Sequence, residues 1–338
     1  MEASDSFKIQ VISIKPRRFS LMYFEVSGVT VSPIIPFLVA FFVSLCVTSA
    51  GVSGAFLLLP FQVSVLGFTS PAVSPTNLFY NIVAIPSGVY RFVREKRMAW
   101  PLAWVIIIGT LPGIFIGAIL RILYLPDPTN FKFFAGCVLL YIALRLVLAM
   151  IKKNDLTLEK AKVVEERFYA KKNTEAAGTA NGIKPIPAVR TVKFSLKHYS
   201  YSFYGEIFTF NTIGLLVLSF FVGIVGGTYG IGGGAIIAPF LVAFFGLPVY
   251  TIAGATLMGT FVTSIAGVAF YAGIAPLFVH TGLAIAPDWT LGALFGAGGF
   301  LGIYCGARLQ KHLPAKIIKI ILIVTMTLIA IRYISAIF

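Results

Sequence analysis

In a chain of 338 residues, 58% are hydrophobic and only 12% charged, far from the roughly 25% charged of soluble domains. A formal net charge of +15 would suit a nucleic-acid binder, but no basic-aromatic module accompanies it. The basic residues crowd into connecting segments instead, the positive-inside pattern of a polytopic membrane protein. Nucleic acid is therefore set aside as a partner, and the lipid bilayer is the expected one.

The N-terminal arm, 1–28, is polar and lacks the early apolar core of a cleavable signal peptide. The apolar block at 33–68 is too long for one simple span and is interrupted at Gly51-Val52-Ser53-Gly54. It reads as two short helices, 33–50 and 55–68. A bend at Thr69-Ser70-Pro71 leads to a third span ending near Tyr90, followed by a basic loop at 91–97. Spans at 102–123 and 133–151, separated by Pro126-Asp127-Pro128, complete a first membrane unit, 29–151.

Residues 152–210 form a basic connector with eleven Lys or Arg against six Asp or Glu. Its first part, 155–172, reads as helical and 178–187 as a flexible loop, the whole as a solvated link. The second membrane unit, 211–338, carries expected helices at 213–228, 234–245, 251–272, 289–309 and 317–337.

The two units repeat one another. A shift of 179 residues sets Gly51 on Gly230, Gly54 on Gly233, Pro60 on Pro239 and Phe61 on Phe240. Further on, Gly113, Gly117 and Ala118 correspond to Gly302, Gly306 and Ala307. With five helices per unit, the basic loops at 91–97, 152–210 and 308–319 fall on one side of the membrane, so they are read as cytoplasmic. The expected fold is an all-α polytopic membrane protein of two inverted five-helix repeats, with short broken helices at Gly-rich hairpins. The arm's Lys8, Lys15, Arg17 and Arg18, placed outside by this topology, are the one signal against it.

Cys46, Cys137 and Cys305 stand singly in apolar segments, and His198, His280 and His312 are scattered. No disulfide framework, metal site or cofactor is expected. An enzyme would need a nucleophile, base or metal set that the cores do not offer.

The richest signal is Gly226-Gly-Thr-Tyr-Gly-Ile-Gly-Gly-Gly234, set inside apolar sequence. Irregular backbone at membrane depth is tolerated only where it is buried in protein or lines a polar cavity, and carriers build substrate sites from such breaks. No acidic residue occurs between Glu25 and Glu95 or between Glu206 and Asp288, which argues against a carboxylate relay or a cationic substrate. An anion fits: helix N-termini offer N–H groups and partial positive charge, and glycine lets the backbone approach. The candidate substrate-binding residues are Gly51, Ser53, Gly54 and Gln62 of the first hairpin and Gly230, Gly232, Gly233 and Gly234 of the second. Thr76, Asn77 and Asn81, with the repeat partners Thr256 and Thr260, would complete the shell. Asn77 and Asn81, four apart, share one helical face. Thr228 and Tyr229 add polar groups beside the second break. Glycines also serve helix packing, and Arg145 and Arg332 read as end residues that snorkel to headgroups.

The run 226–241, then Ala253-Gly254-Ala255-Thr256, Gly51 to Pro60, and Ser74-Pro75-Thr76-Asn77 together resemble the TauE/SafE family of sulfite-exporter-like permeases. The resemblance covers both membrane units and implies transport of small sulfur-containing anions, such as sulfite or organosulfonates, by proteins often assembled as homodimers. The first hairpin departs from it, with Ser53 and Ala55 opposite Gly232 and Gly234. The expected function is a secondary transporter of such an anion by alternating access, in the cell membrane. The alternatives are a carrier or channel for another small anion, and a membrane scaffold or sensor working through 152–210.

Overall fold

The computed structural model describes residues 21–48, 53–151, 189–195, 197–203, 205–245, 247, 249–309 and 315–335. Within them the first unit holds α1 (Ile34–Thr48), α2 (Ala55–Ser64), α3 (Val73–Arg94), α4 (Trp100–Leu123) and α5 (Pro128–Ile151). The second holds α6 (Thr212–Tyr229), α7 (Gly233–Phe245), α8 (Val249–Ile274), α9 (Trp289–Leu309) and α10 (Ala315–Ser335). Five stretches among the described residues are long and apolar enough to cross a membrane: Trp100–Leu123, Pro128–Leu148, Thr212–Tyr229, Thr251–Thr281 and Trp289–Leu309. The protein is an all-α polytopic membrane protein with minor sheets. The readings of helix at 155–172 and loop at 178–187 lie outside the described residues, as do Gly51 and Val52.

Several boundaries differ from the sequence reading. Helix α3 runs on to Arg94, because Arg91 and Arg94 put positive charge at its negative end and Arg91 pairs with Glu95 at 2.8 Å. Helix α5 starts earlier, at Pro128, where Asp127 Oδ1 accepts from the amides of Thr129 (2.8 Å) and Asn130 (3.0 Å). The end of the connector is not merely a solvated link. Strands β3 (Arg190–Phe194), β4 (His198–Phe203) and β5 (Glu206–Asn211) make an antiparallel sheet in the order β3-β4-β5, following a small hairpin of β1 (Met22–Phe24) and β2 (Val29–Val31) near the N-terminus. Strand β4 alternates, burying Tyr199, Tyr201 and Phe203. Its sheet seats on the membrane helices: the Tyr201 hydroxyl meets Thr251 Oγ1 at 2.8 Å, and the Val189 amide donates to Lys96 O at 3.2 Å.

Helices in lipid gain little from apolar burial against one another, so they associate where small residues let backbones approach. A Cβ on Gly113 would stand 2.3 Å from the Phe220 carbonyl oxygen, and one on Gly117 2.2 Å from that of Ile224. Positions on α4 and α6 advance together, Gly109 meeting Leu216 and Gly117 meeting Thr228, so the two helices are parallel. The same holds for α9 and α1, with Gly298 on Phe37, Gly302 on Phe41 and Gly306 on Leu45. The first helix of each unit thus packs on the fourth helix of the other.

Between α3 and α9, Gly292 meets Phe79 and Gly296 meets Val83, again parallel, as are α4 and α8 through Ile106–Gly259 and Ile114–Gly267. Helices α3 and α8 are antiparallel: Gly88 reaches Leu257 while Gly267 reaches Leu78. It follows that α1, α3 and α9 point one way and α4, α6 and α8 the other. Outward-facing Phe42, Trp104, Ile108 and Phe221 supply an exposed apolar surface suited to hydrocarbon.

Candidate functional site

Both breaks are hairpin tips. Gly54 lies against Ser44 while Phe61 reaches Phe295, so α2 turns back along α1. In the other unit Gly230 (φ 81°) ends α6 in the left-handed conformation, its amide bonded to Gly226 O at 2.9 Å, and Gly232 (φ 79°) completes the reversal. A Cβ on Gly226 would stand 2.9 Å from Gly232, so α7 returns along α6.

The two tips meet on α3. Asn77 Nδ2 donates to Ala55 O of the first hairpin and to Gly230 O of the second, both at 2.9 Å. One turn on, Asn81 Nδ2 reaches Ile231 O (3.1 Å) and Ser264 Oγ (3.2 Å), while Ser53 Oγ donates to Asn81 Oδ1. Gln62 Nε2 donates to Asn77 Oδ1 at 3.2 Å, and its own Oε1 is buried without a partner. Ser53, Gln62, Asn77, Asn81, Thr256 and Thr260 are all fully buried.

The second tip is held by close backbone approach. A Cβ on Gly230 would come 2.5 Å from Ser74 Cα, and one on Gly232 2.9 Å from Thr260. Gly233 faces Thr110, and a Cβ on Gly234 would stand 2.1 Å from Thr256 O. A Cβ on Gly54 would be as tight, 2.3 Å from the Tyr80 hydroxyl that pairs with Ser44 at 2.7 Å. Of the expected residues the structure gathers Ser53, Gly54, Gln62, Asn77, Asn81, Gly230, Gly232, Gly233, Gly234, Thr256 and Thr260. Gly51 lies outside the described residues. Thr76 stands apart: its hydroxyl donates to Ala72 O at 2.7 Å and accepts from the Asp288 amide at 2.8 Å, pinning the start of α9.

The repeat partners behave differently. The Asn pair crosses between units, whereas Thr256 donates to Ala253 O (3.1 Å) and Thr260 to Thr256 O (2.9 Å) on their own helix. Asn side chains thus neutralise carbonyls at the α6 end of the tip. The first-turn amides of α7 have no acceptor inside their helix, and with the helix dipole they form the positive feature of the tip. No metal-binding cluster of His, Cys, Asp or Glu occurs among the described residues. A mostly apolar cavity of about 410 Å³ between α5, α6 and α7 is lined by residues such as Tyr141, Phe221 and Phe240 and includes none of the tip residues.

Sequence reasoning names Ser74 only as part of a motif and passes over Thr110, Ser264 and Arg121. Ser264 could have been found, since it continues the Thr256–Thr260 spacing by four more residues. Arg121 is visible only as a cation in the last turn of an apolar span without an acid nearby in sequence spacing of three or four.

The sulfite exporter TauE/SafE family model matches residues 36–333, nearly the whole chain. The chain belongs to the TauE/SafE family. Neither curated proteins nor solved structures gave a match. TauE/SafE proteins are integral membrane transporters, and the five long apolar helices accord with that assignment. In this TauE/SafE chain the family match spans both hairpin tips and the α3 face that joins them.

Proposed function

We propose that the protein is a secondary carrier of small sulfur-containing anions, sulfite or organosulfonates, working by alternating access between its two units. The observation that carries the reading is the meeting of two hairpin tips, one from each unit, on the Asn77–Asn81 face of α3. Opposite directions of α3 and α8, and of α4 and α9, support an inverted repeat of the two units. Such a repeat has two arrangements of equal construction, one open to each side. The first-turn amides of α7 would hold the oxyanion, which suits a tip without carboxylates; those opening α2 already bond to Ser53 and Gly54.

The test is flux of labelled sulfite and organosulfonates into proteoliposomes holding the purified chain. Saturable uptake, competed by unlabelled sulfonate, is expected. Flux equal to empty liposomes would remove the carrier reading, and non-saturating flux would replace it with a channel.

A further inference from the structure

Arg121 is fully buried, yet its charge has no counter-ion: no carboxylate lies within ion-pair distance among the described residues. One guanidinium nitrogen, Nη1, donates to Leu125 O, and the group's central carbon lies 3.8 Å from the centre of the Phe131 ring. Nε and Nη2 have no hydrogen-bond partner. These two nitrogens share one edge of the guanidinium plane, the edge that grips two oxygens of an oxyanion at once. A buried, permanently charged group is costly, and within a membrane protein it marks a functional position.

Three contacts lead from Arg121 to the residues just before the second break. One turn earlier on the same face of α4, Gly117 O accepts from Thr228 Oγ1 at 3.1 Å. Tyr271, whose hydroxyl faces Gly227 O at 3.5 Å and Ser74, lies within electrostatic reach of Arg121. The Phe131 ring beneath Arg121 is 6.3 Å from that of Tyr229, a fully buried tyrosine with an unpartnered hydroxyl.

We propose that Arg121 is an oxyanion-binding residue of the carrier, taking two oxygens of the substrate on its Nε–Nη2 edge beside the α6–α7 tip. The proposal rests on the anion-carrier reading, and it supplies the fixed positive charge that the tips themselves lack. An incoming anion would be the missing counter-ion, and its binding would offset the burial of the guanidinium.

The experiment uses the full chain in lipid nanodiscs, with calorimetric titration and thermal unfolding against sulfite, methanesulfonate, phosphate and acetate. Wild type is compared with Arg121→Lys and Arg121→Met. Arg121→Lys keeps the charge but not the paired edge, and is expected to weaken anion binding tenfold or more. Arg121→Met is expected to abolish binding while raising the melting temperature without ligand, because an unpaired buried charge is gone. A purely structural arginine would do the reverse, losing stability while binding persists in the Lys variant. Unchanged affinity in Arg121→Lys, or in a folded Arg121→Met, overturns the assignment and leaves the carrier reading in place. If wild type binds phosphate or acetate but no sulfur anion, the sulfur substrate is wrong, and loss of that binding in Arg121→Lys still supports the assignment. Wild type binding none of the four overturns both.

Discussion

The Asn77 side-chain amide hydrogen-bonds to the Gly230 carbonyl oxygen at 2.9 Å, across 153 positions of the chain. The same nitrogen holds Ala55 O, so a single group fastens the two hairpin tips to each other. Asn77→Asp keeps the shape, removes both donors and sets a negative charge among carbonyls. A buried acceptor left without a donor costs about 1–3 kcal/mol. Gly230 O is stranded here, while Ala55 O, in the first turn of α2, keeps its helix partner. Asn77→Asp is expected to lower the melting temperature in detergent and to abolish anion uptake. Uptake at wild-type rates would show that the bridge has no part in transport.

Close approach predicts steric effects at the second tip. Gly234→Ala would drive its Cβ into Thr256 O, and Gly233→Leu would drive a larger chain into Thr110. Both are expected to remove uptake in proteoliposomes, Gly233→Leu completely. Gel filtration separates loss of transport from loss of assembly. Full uptake by Gly233→Leu would exclude the tip as the substrate's path.

The parallel seam of α4 and α6 should be equally intolerant. Gly117→Ala meets backbone at 2.2 Å from Ile224 O and is expected to destabilise by about 1–3 kcal/mol, the usual range for overpacking. Gly273→Ala, on α8 with nothing within 4 Å of its new Cβ, is the control, expected to be neutral or slightly stabilising through helix propensity. Thermal unfolding of the two variants in one detergent makes the comparison. Equal melting temperatures would mean that the seam yields.

The sheet at the end of the connector can be separated from the stretch before it. Tyr201→Phe removes the bond to Thr251 and is expected to cost about 1 kcal/mol with transport retained. Replacing residues 155–187 by a short flexible linker, with 189–211 kept, is expected to preserve most uptake. Loss of uptake in that variant, with normal assembly, would favour the scaffold or sensor role for the connector.

Much of the fold was legible because membrane helices announce themselves by apolar length, and the breaks by glycine at fixed positions in two copies. The glycine pairs 113–117 and 302–306 were visible as a repeat, though not as a seam with Gly109 and Gly298, since no sequence states which helix they face. Strand β4 shows its period of two plainly in His198-Tyr-Ser-Tyr-Ser-Phe203, but the surrounding charge suggested a solvated segment. Of the candidate site, Asn77 and Asn81 were named as one face, but not as donors to carbonyls of both tips. That assignment depends on which backbone groups the fold brings to α3. Arg121 was passed over because a cation near a span's end ordinarily reaches water, whereas here it is buried over the Phe131 ring.

The exchange of partners between units has a consequence for biosynthesis. Helix α1 seats on α9, and Phe37 has no Gly298 to rest on until nearly the whole chain has been made. The first hairpin therefore leaves the ribosome as an orphan, short, broken and without its seam. It must be sheltered by the insertion machinery or lie loosely in lipid until α9 arrives. Contacts this distant in sequence close late, which makes completion of the last helices the step that commits the protein to its form.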